Sequence, residues 1–388
     1  MTLFFFISSK TALDIVCTKT SLKNLMMDRS LPFLCFFLIS AMFAAPSDAL
    51  SPMDKSKIRG MFVFGSSVVD NGNNNFIPNS LARVDYPPYG IDFPLGPTGR
   101  SANGENIADI LGKMLDLPNY IPPFNDPSTA GSRIVHGVNY GSAGSGILDE
   151  TGAVAGNVIS LNQQIRNFET TTLPELEMQL GQNSSRILPQ YMFLVASGGN
   201  DYSLNYLLNL TRSNVTLEAF TANLTSTFTL QLKRLYSLGA RKFVLVSINP
   251  NGCAPVAMAS AAGEGCVERI NNAVQMFNIQ MRNLTDALRP QLPGSGLVFV
   301  NAYKIVRDII RYPSFKGFRN VDTSCCNVSA IGFLCVRGGP VCSNRREYVY
   351  FDGNHVTEAV NRVIATKAFS SNLGAEVYPY NVQKLSQI

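Results

Sequence analysis

Five short runs of β-branched and aromatic residues, at 58–64, 134–140, 191–196, 242–248 and 297–303, alternate with segments long enough to be helices. Nothing else in the chain narrows its folding so far. An apolar run without polar alternation reads as a strand buried on both faces. Between the runs the spacing becomes helical: Val267, Ile270, Val274, Phe277, Met281, Leu284 and Leu288 recur three or four residues apart, and Leu224, Phe228, Leu232 and Leu235 mark a second helix. A last helix is expected over 355–369. Strands alternating with helices imply a parallel sheet covered on both faces, with ligands at the carboxyl ends of the strands. No internal repeat or linker divides residues 53–375, so residues 50–388 are expected to form one domain.

The first fifty residues read as targeting. The run 31–45 is apolar and uncharged, follows Arg29, and precedes Ser47, Asp48 and Ala49, a small-x-Ala cleavage pattern. It is too short to span a bilayer comfortably. Residues 1–49 are therefore expected to be a leader and signal peptide cleaved after Ala49, with 1–25 an upstream extension, because Met26 and Met27 stand where a signal peptide of ordinary length begins. The mature chain is expected outside the cell, without a transmembrane anchor.

Cysteine usage agrees. Six cysteines follow the leader, Cys253, Cys266, Cys325, Cys326, Cys335 and Cys342, with no Cys-x-x-Cys pair to hold zinc. Disulfides are the expectation, Cys253 with Cys266 and the other four stapling the segment before Tyr348. Asn183, Asn209, Asn214, Asn223, Asn283 and Asn327 open N-x-S/T sequons, as a secreted surface would. The formal charge of +5 arises from 32 basic and 27 acidic groups with no basic block, so nucleic acid is not an expected partner. There are two histidines, His136 and His355, and any imidazole chemistry must use one of them.

Chemistry-bearing residues collect after the strands. The first strand runs into Gly65, Ser66, Ser67 and then Asp70, Asn71 and Gly72; a serine after a buried strand exposes its hydroxyl at the sheet edge, although Gly-Ser-Ser alone is usually only a turn or a cap. The glycines of 137–146 let backbone N–H groups approach an oxyanion, and Asn200, after the third run, carries an amide that can do the same; a flexible loop and a helix cap are the plainer readings. In Asp352-Gly353-Asn354-His355 the carboxylate can accept from Nδ1, leaving Nε2 as general base. His136 lies within an expected strand and reads as a structural histidine.

In order along the chain, FVFGSSVVDNGNNN, PTGRSANGENIAD, GVNYGSAGSGILDETG, SGGNDY and YVYFDGNHVTEAVNR resemble the plant GDSL-type esterase/lipases of the SGNH hydrolase superfamily, over nearly all of 58–370. The resemblance implies a three-layer α/β/α sandwich with a five-stranded, mostly parallel sheet, like flavodoxin. It implies Ser67 as nucleophile, His355 as base, Asp352 as orienting acid, and an oxyanion hole from Ser67, Gly144 and Asn200, with Gly146 the alternative to Gly144. It implies a carboxylic ester as substrate, of a lipid or a small acylated molecule, and no cofactor or metal. The chain departs from the family's pattern at Ser66, where the family has Asp, at Phe351 for Trp, and in Asn354-His355-Val356 for Phe-His-Pro. The Ser66 departure keeps a non-catalytic extracellular binding protein in view as a different class of function, and an acyltransferase would use the same residues.

Overall fold

Alternation along the strands divides the core into two halves. In the computed structural model, which describes residues 58–208, 214–261 and 265–388, strands β1 (Gly60–Gly65), β2 (Tyr191–Ala196), β3 (Lys242–Val246) and β4 (Gly296–Val300) lie side by side in that order, all parallel. Successive side chains point to opposite faces. Phe62, Phe64, Phe193, Phe243 and Phe299 therefore enter one core, while Met61, Val63, Leu194, Val244 and Val298 enter the other. The covering helices are α1 (Ile107–Met114), α2 (Leu161–Asn167), α3 (Leu217–Leu238), α4 (Glu268–Leu288), α5 (Ala302–Arg311) and α6 (Glu358–Ser370). Helices α2, α3 and α4 pack on the phenylalanine face, and α1, α5 and α6 on the other, which makes the three layers.

The helices start and stop where local chemistry says they should. Asn106 and Asp109 form a capping box that opens α1, Thr216 accepts the Ala219 N–H to open α3, and Gly239, in the left-handed region, closes it. Val274, Phe277, Met281 and Leu288 of the expected stripe are buried along α4. The helix expected over 355–369 begins at Glu358, because Asp352 and His355 sit in a turn ahead of it, and it is not the last, since a short helix follows at Val382–Ser386.

The sheet has five strands, but one is not the one expected. Residues 134–140 are no strand: a single helical turn takes Gly131–Ile134, and Gly137 has φ +107°, where a Cβ would lie 1.9 Å from the Met61 carbonyl oxygen. The segment still runs beside β1, with Val63 donating to the Val138 carbonyl and Tyr140 to that of Val63. The fifth strand is β7 (Val377–Tyr378), antiparallel to β4 and followed by α7 (Val382–Ser386).

A second, two-stranded sheet of β5 (Asn320–Ser324) and β6 (Tyr348–Tyr350) carries the cystine-rich segment. Cys253 pairs with Cys266, Cys325 with Cys342, and Cys326 with Cys335. The last two bridges share a small core with Tyr86, Tyr89 and Phe351. The sequon asparagines 183, 214, 223, 283 and 327 are exposed. The leader, the Ala49 junction and Asn209 lie outside the described residues. No helix among the described residues is long and apolar enough to cross a membrane.

Candidate active site

Ser67 sits at the tip of a turn that the backbone itself fixes. β1 ends at Gly65 with φ +145°, and a Cβ there would lie 2.1 Å from the Ala196 carbonyl oxygen, so only glycine lets β1 leave the sheet this close to β2. Gln164 of α2 holds both sides of that residue: its Oε1 accepts the Gly65 N–H at 2.8 Å and its Nε2 donates to the Gly65 carbonyl at 2.9 Å. The Ser66 N–H donates to Ala196, and the Ser66 carbonyl accepts from Val69 and Asp70. Ser66 thus contributes its backbone to the turn.

Asp70 ties this turn to the glycine loop. Its Oδ1 accepts from the N–H groups of Gly72 at 2.7 Å and Asn73 at 2.8 Å, and its Oδ2 from that of Ala143 at 2.9 Å. Complete burial pushes its carboxyl up to about 6 despite those bonds and the Arg100 charge. Asn73 Nδ2 bridges the carbonyls of Asn139 and Gly141, and Asn74 Nδ2 donates to that of Ala143.

Asn200 stands at the carboxyl end of β2 and donates from Nδ2 to the Ser145 carbonyl at 2.8 Å, which brings the amide against the glycine loop. The N–H groups of Ser67 and Gly144 donate to no protein group among the described residues. At Gly146, the alternative donor, a Cβ would lie 2.5 Å from both Asp201 carboxylate oxygens, so the loop passes close over Asp201 there. Asp201 accepts from Ile147, Leu148 and Thr151, and burial pushes it up to about 6.

The C-terminal loop brings the imidazole to the serine. His355 Nε2 is 2.9 Å from Ser67 Oγ, across 288 residues of sequence, and Nδ1 is 2.8 Å from Asp352 Oδ2. Asp352 is fully buried, and its Oδ1 also accepts the backbone N–H groups of Asn354 at 2.8 Å and His355 at 2.7 Å. A carboxylate against Nδ1 selects the tautomer with its proton there and leaves the Nε2 lone pair facing the Ser67 hydroxyl. Such a group can take a proton from the serine as it attacks a carbonyl. His136 is elsewhere, its Nδ1 2.9 Å from the Arg59 carbonyl, the structural role expected of it.

The structure also reveals a residue that sequence spacing did not mark. Tyr89 donates its hydroxyl to Asp352 Oδ2 at 2.6 Å from 263 residues away. Ser67, Asn200 and His355 border a cleft of about 60 Å³ floored by the ends of β2 and β3, with no Asp, Glu, Lys or Arg among its lining residues. Ser197 Oγ and Asn249 Oδ1, in residues of that wall, are buried without a hydrogen-bond partner.

The GDSL-like Lipase/Acylhydrolase family matches residues 61–368. Three GDSL esterase/lipases of Arabidopsis thaliana are 40%, 39% and 38% identical to this chain; the matches cover 84%, 86% and 89% of it and 91%, 93% and 94% of their own lengths. A match of this extent, on a mostly parallel five-stranded α/β fold, shows the family: the chain belongs to the GDSL-like lipases and acylhydrolases, ester hydrolases of the SGNH type.

Proposed function

We propose that this protein is a secreted serine hydrolase of carboxylic esters that works through an acyl-enzyme. Ser67 attacks the ester carbonyl, His355 takes its proton and passes it to the departing alcohol, and Asp352 holds the imidazole in register. The Ser67 and Gly144 N–H groups and the Asn200 amide receive the negative charge that grows on the carbonyl oxygen, each donor contributing about a factor of 10² to 10³ in turnover. Water, activated by the same His355, then releases the acid.

The observation that carries this reading is the 2.9 Å approach of His355 Nε2 to Ser67 Oγ with Asp352 behind it. The uncharged walls of the cleft, in which Val68, Val246, Ile248 and Val356 stand among serines and asparagines, favour a neutral ester over a phosphate or a carboxylate. Secretion is supported by the leader pattern, the three disulfides and the exposed sequons.

A fluorophosphonate ester is the direct test. It should label the purified protein on Ser67, and Ser67→Ala should lose both labelling and at least a thousandfold in p-nitrophenyl butyrate turnover. A folded wild type inert to both reagents would overturn the hydrolase in favour of the binding-protein reading.

A further inference from the structure

We propose that Tyr89 is a positioning residue that couples the cystine-stapled segment 325–342 to Asp352, so that the Cys326–Cys335 bridge sets the aim of the imidazole. The inference rests on the hydrolase reading above. Two hydrogen bonds in series make the link: Cys335 N–H donates to the Tyr89 oxygen at 3.1 Å, and the Tyr89 hydroxyl donates to Asp352 Oδ2 at 2.6 Å. That Oδ2 is also the nearer partner of His355 Nδ1, at 2.8 Å. The other half of the bridge grips the same loop from behind, because the Cys326 N–H donates to the Phe351 carbonyl at 2.9 Å, one residue before Asp352. One disulfide therefore holds both the backbone that delivers the carboxylate and the phenol that fixes its rotation.

The phenol has nowhere else to go. Tyr89 is 1% exposed, with Phe351 and Tyr86 packed edge-on to its ring at centroid distances of 5.6 and 5.4 Å. Burial, reinforced by the Asp352 charge, holds its hydroxyl well above the usual tyrosine range, so it stays a donor at any working pH. The carboxylate then has its directions set: Oδ1 takes two backbone N–H groups and lies 3.0 Å from His355 Nδ1, and Oδ2 takes the phenol and the imidazole at its nearer 2.8 Å approach. Without the phenol, Oδ2 is free to turn toward the imidazole alone and carries more negative charge against it. A hydrogen bond to a charged group, lost in a buried site, is large enough to move a side chain and its chemistry. The other titratable or charged groups that act on Tyr89 and Asp352 are His355 and Tyr86, the latter under Arg337 at 3.8 Å and influenced by Asp85.

Tyr89→Phe removes the hydroxyl and keeps the ring, which separates aim from packing. The expected result is a kcat about tenfold lower with KM within about twofold, and an acid limb of kcat/KM moved to higher pH, because a carboxylate relieved of one donor binds the imidazolium more strongly. Cys326→Ser with Cys335→Ser should cost at least that factor in the wild-type background, because it also frees the Phe351 backbone, and less than that in the Tyr89→Phe background, where the arm through Tyr89 is already lost. A wild-type pH profile and kcat in Tyr89→Phe, or losses that multiply in the combined variant, would overturn the proposal. Tyr89→Phe decides it alone should the cysteine variant fail to fold. A readout independent of turnover keeps the two readings apart: the low-field NMR signal of the His355 Nδ1 proton should move in Tyr89→Phe. A moved signal in a protein inert to esters sinks the hydrolase and leaves the coupling standing, whereas an unmoved signal in an active enzyme sinks the coupling.

Discussion

The two halves of the site are held in opposite ways. Ser67 rests on a turn fixed by side-chain amides and one carboxylate: Gln164 across the Gly65 peptide, Asp70 on three backbone N–H groups, and Asn73 and Asn74 on the carbonyls of the glycine loop. Asp352 and His355 rest on a segment closed by two disulfides and bonded to their loop directly through Cys325 and Cys326, and by way of Tyr89 through Cys335. The difference teaches that one active site can depend on two chemistries for its geometry. The nucleophile side answers to protons and polar packing, and the base side to covalent closure.

The sharpest way to break that contrast is to remove the carboxylate on the nucleophile side. Asp70→Ala leaves the N–H groups of Gly72, Asn73 and Ala143 without their acceptor, and should cost about 3 kcal/mol of stability together with most of the activity. Denaturant unfolding measures the first and ester turnover the second. A variant as stable as the wild type would show that water replaces the carboxylate and that the turn holds itself.

The next effect is one of pH. Burial holds Asp70 and Asp201 at about 6, against about 3.9 in an unfolded chain. Between those values the folded state binds more protons than the unfolded one, so stability falls as pH rises from about 4 to about 6 and then levels off, by roughly 3 kcal/mol for each group. Asp92, lowered chiefly by its hydrogen bond to Arg345, acts in the other direction, but its contribution is lost only below that window. Thermal unfolding should therefore show a higher midpoint at pH 4.5 than at pH 7. A flat profile would mean that neither carboxylate titrates there.

The smallest effect concerns Ser66. Its backbone already secures the turn through Ala196, Val69 and Asp70, so placing an acid there has little left to fix. Ser66→Asp should raise kcat/KM by about threefold at most, compared across pH because a new charge on the cleft wall shifts the imidazole. A gain of a hundredfold would mean that the turn is poorly set in this chain.

Much of this architecture is legible in the sequence where one local signal suffices. Uninterrupted apolar runs reported β1 to β4, and the stripe through Val274, Phe277 and Met281 reported α4. The run at 134–140 misled because its composition suits a strand while Gly137 breaks the extended backbone, and β7 was invisible because two residues make no pattern. Within the site, Ser67, Asn200, Asp352 and His355 stood out by their places after strands or by the Asp-x-x-His spacing. Gln164 and Tyr89 did not, because each acts on a residue 99 or 263 positions away, and no short pattern encodes such a contact.

The 288-residue separation between Ser67 and His355 has a consequence in time. The chain emerges from the ribosome in order, at about 5 to 20 residues per second, so the imidazole is made roughly a quarter of a minute to a minute after the serine. Throughout that interval the Ser67 hydroxyl lacks its imidazole partner, and the four cysteines of the segment that backs the imidazole loop, Cys325, Cys326, Cys335 and Cys342, are made only shortly before it. On the proposed mechanism, the order of the sequence itself keeps the nascent chain from hydrolysing esters until its C-terminal segment has been made.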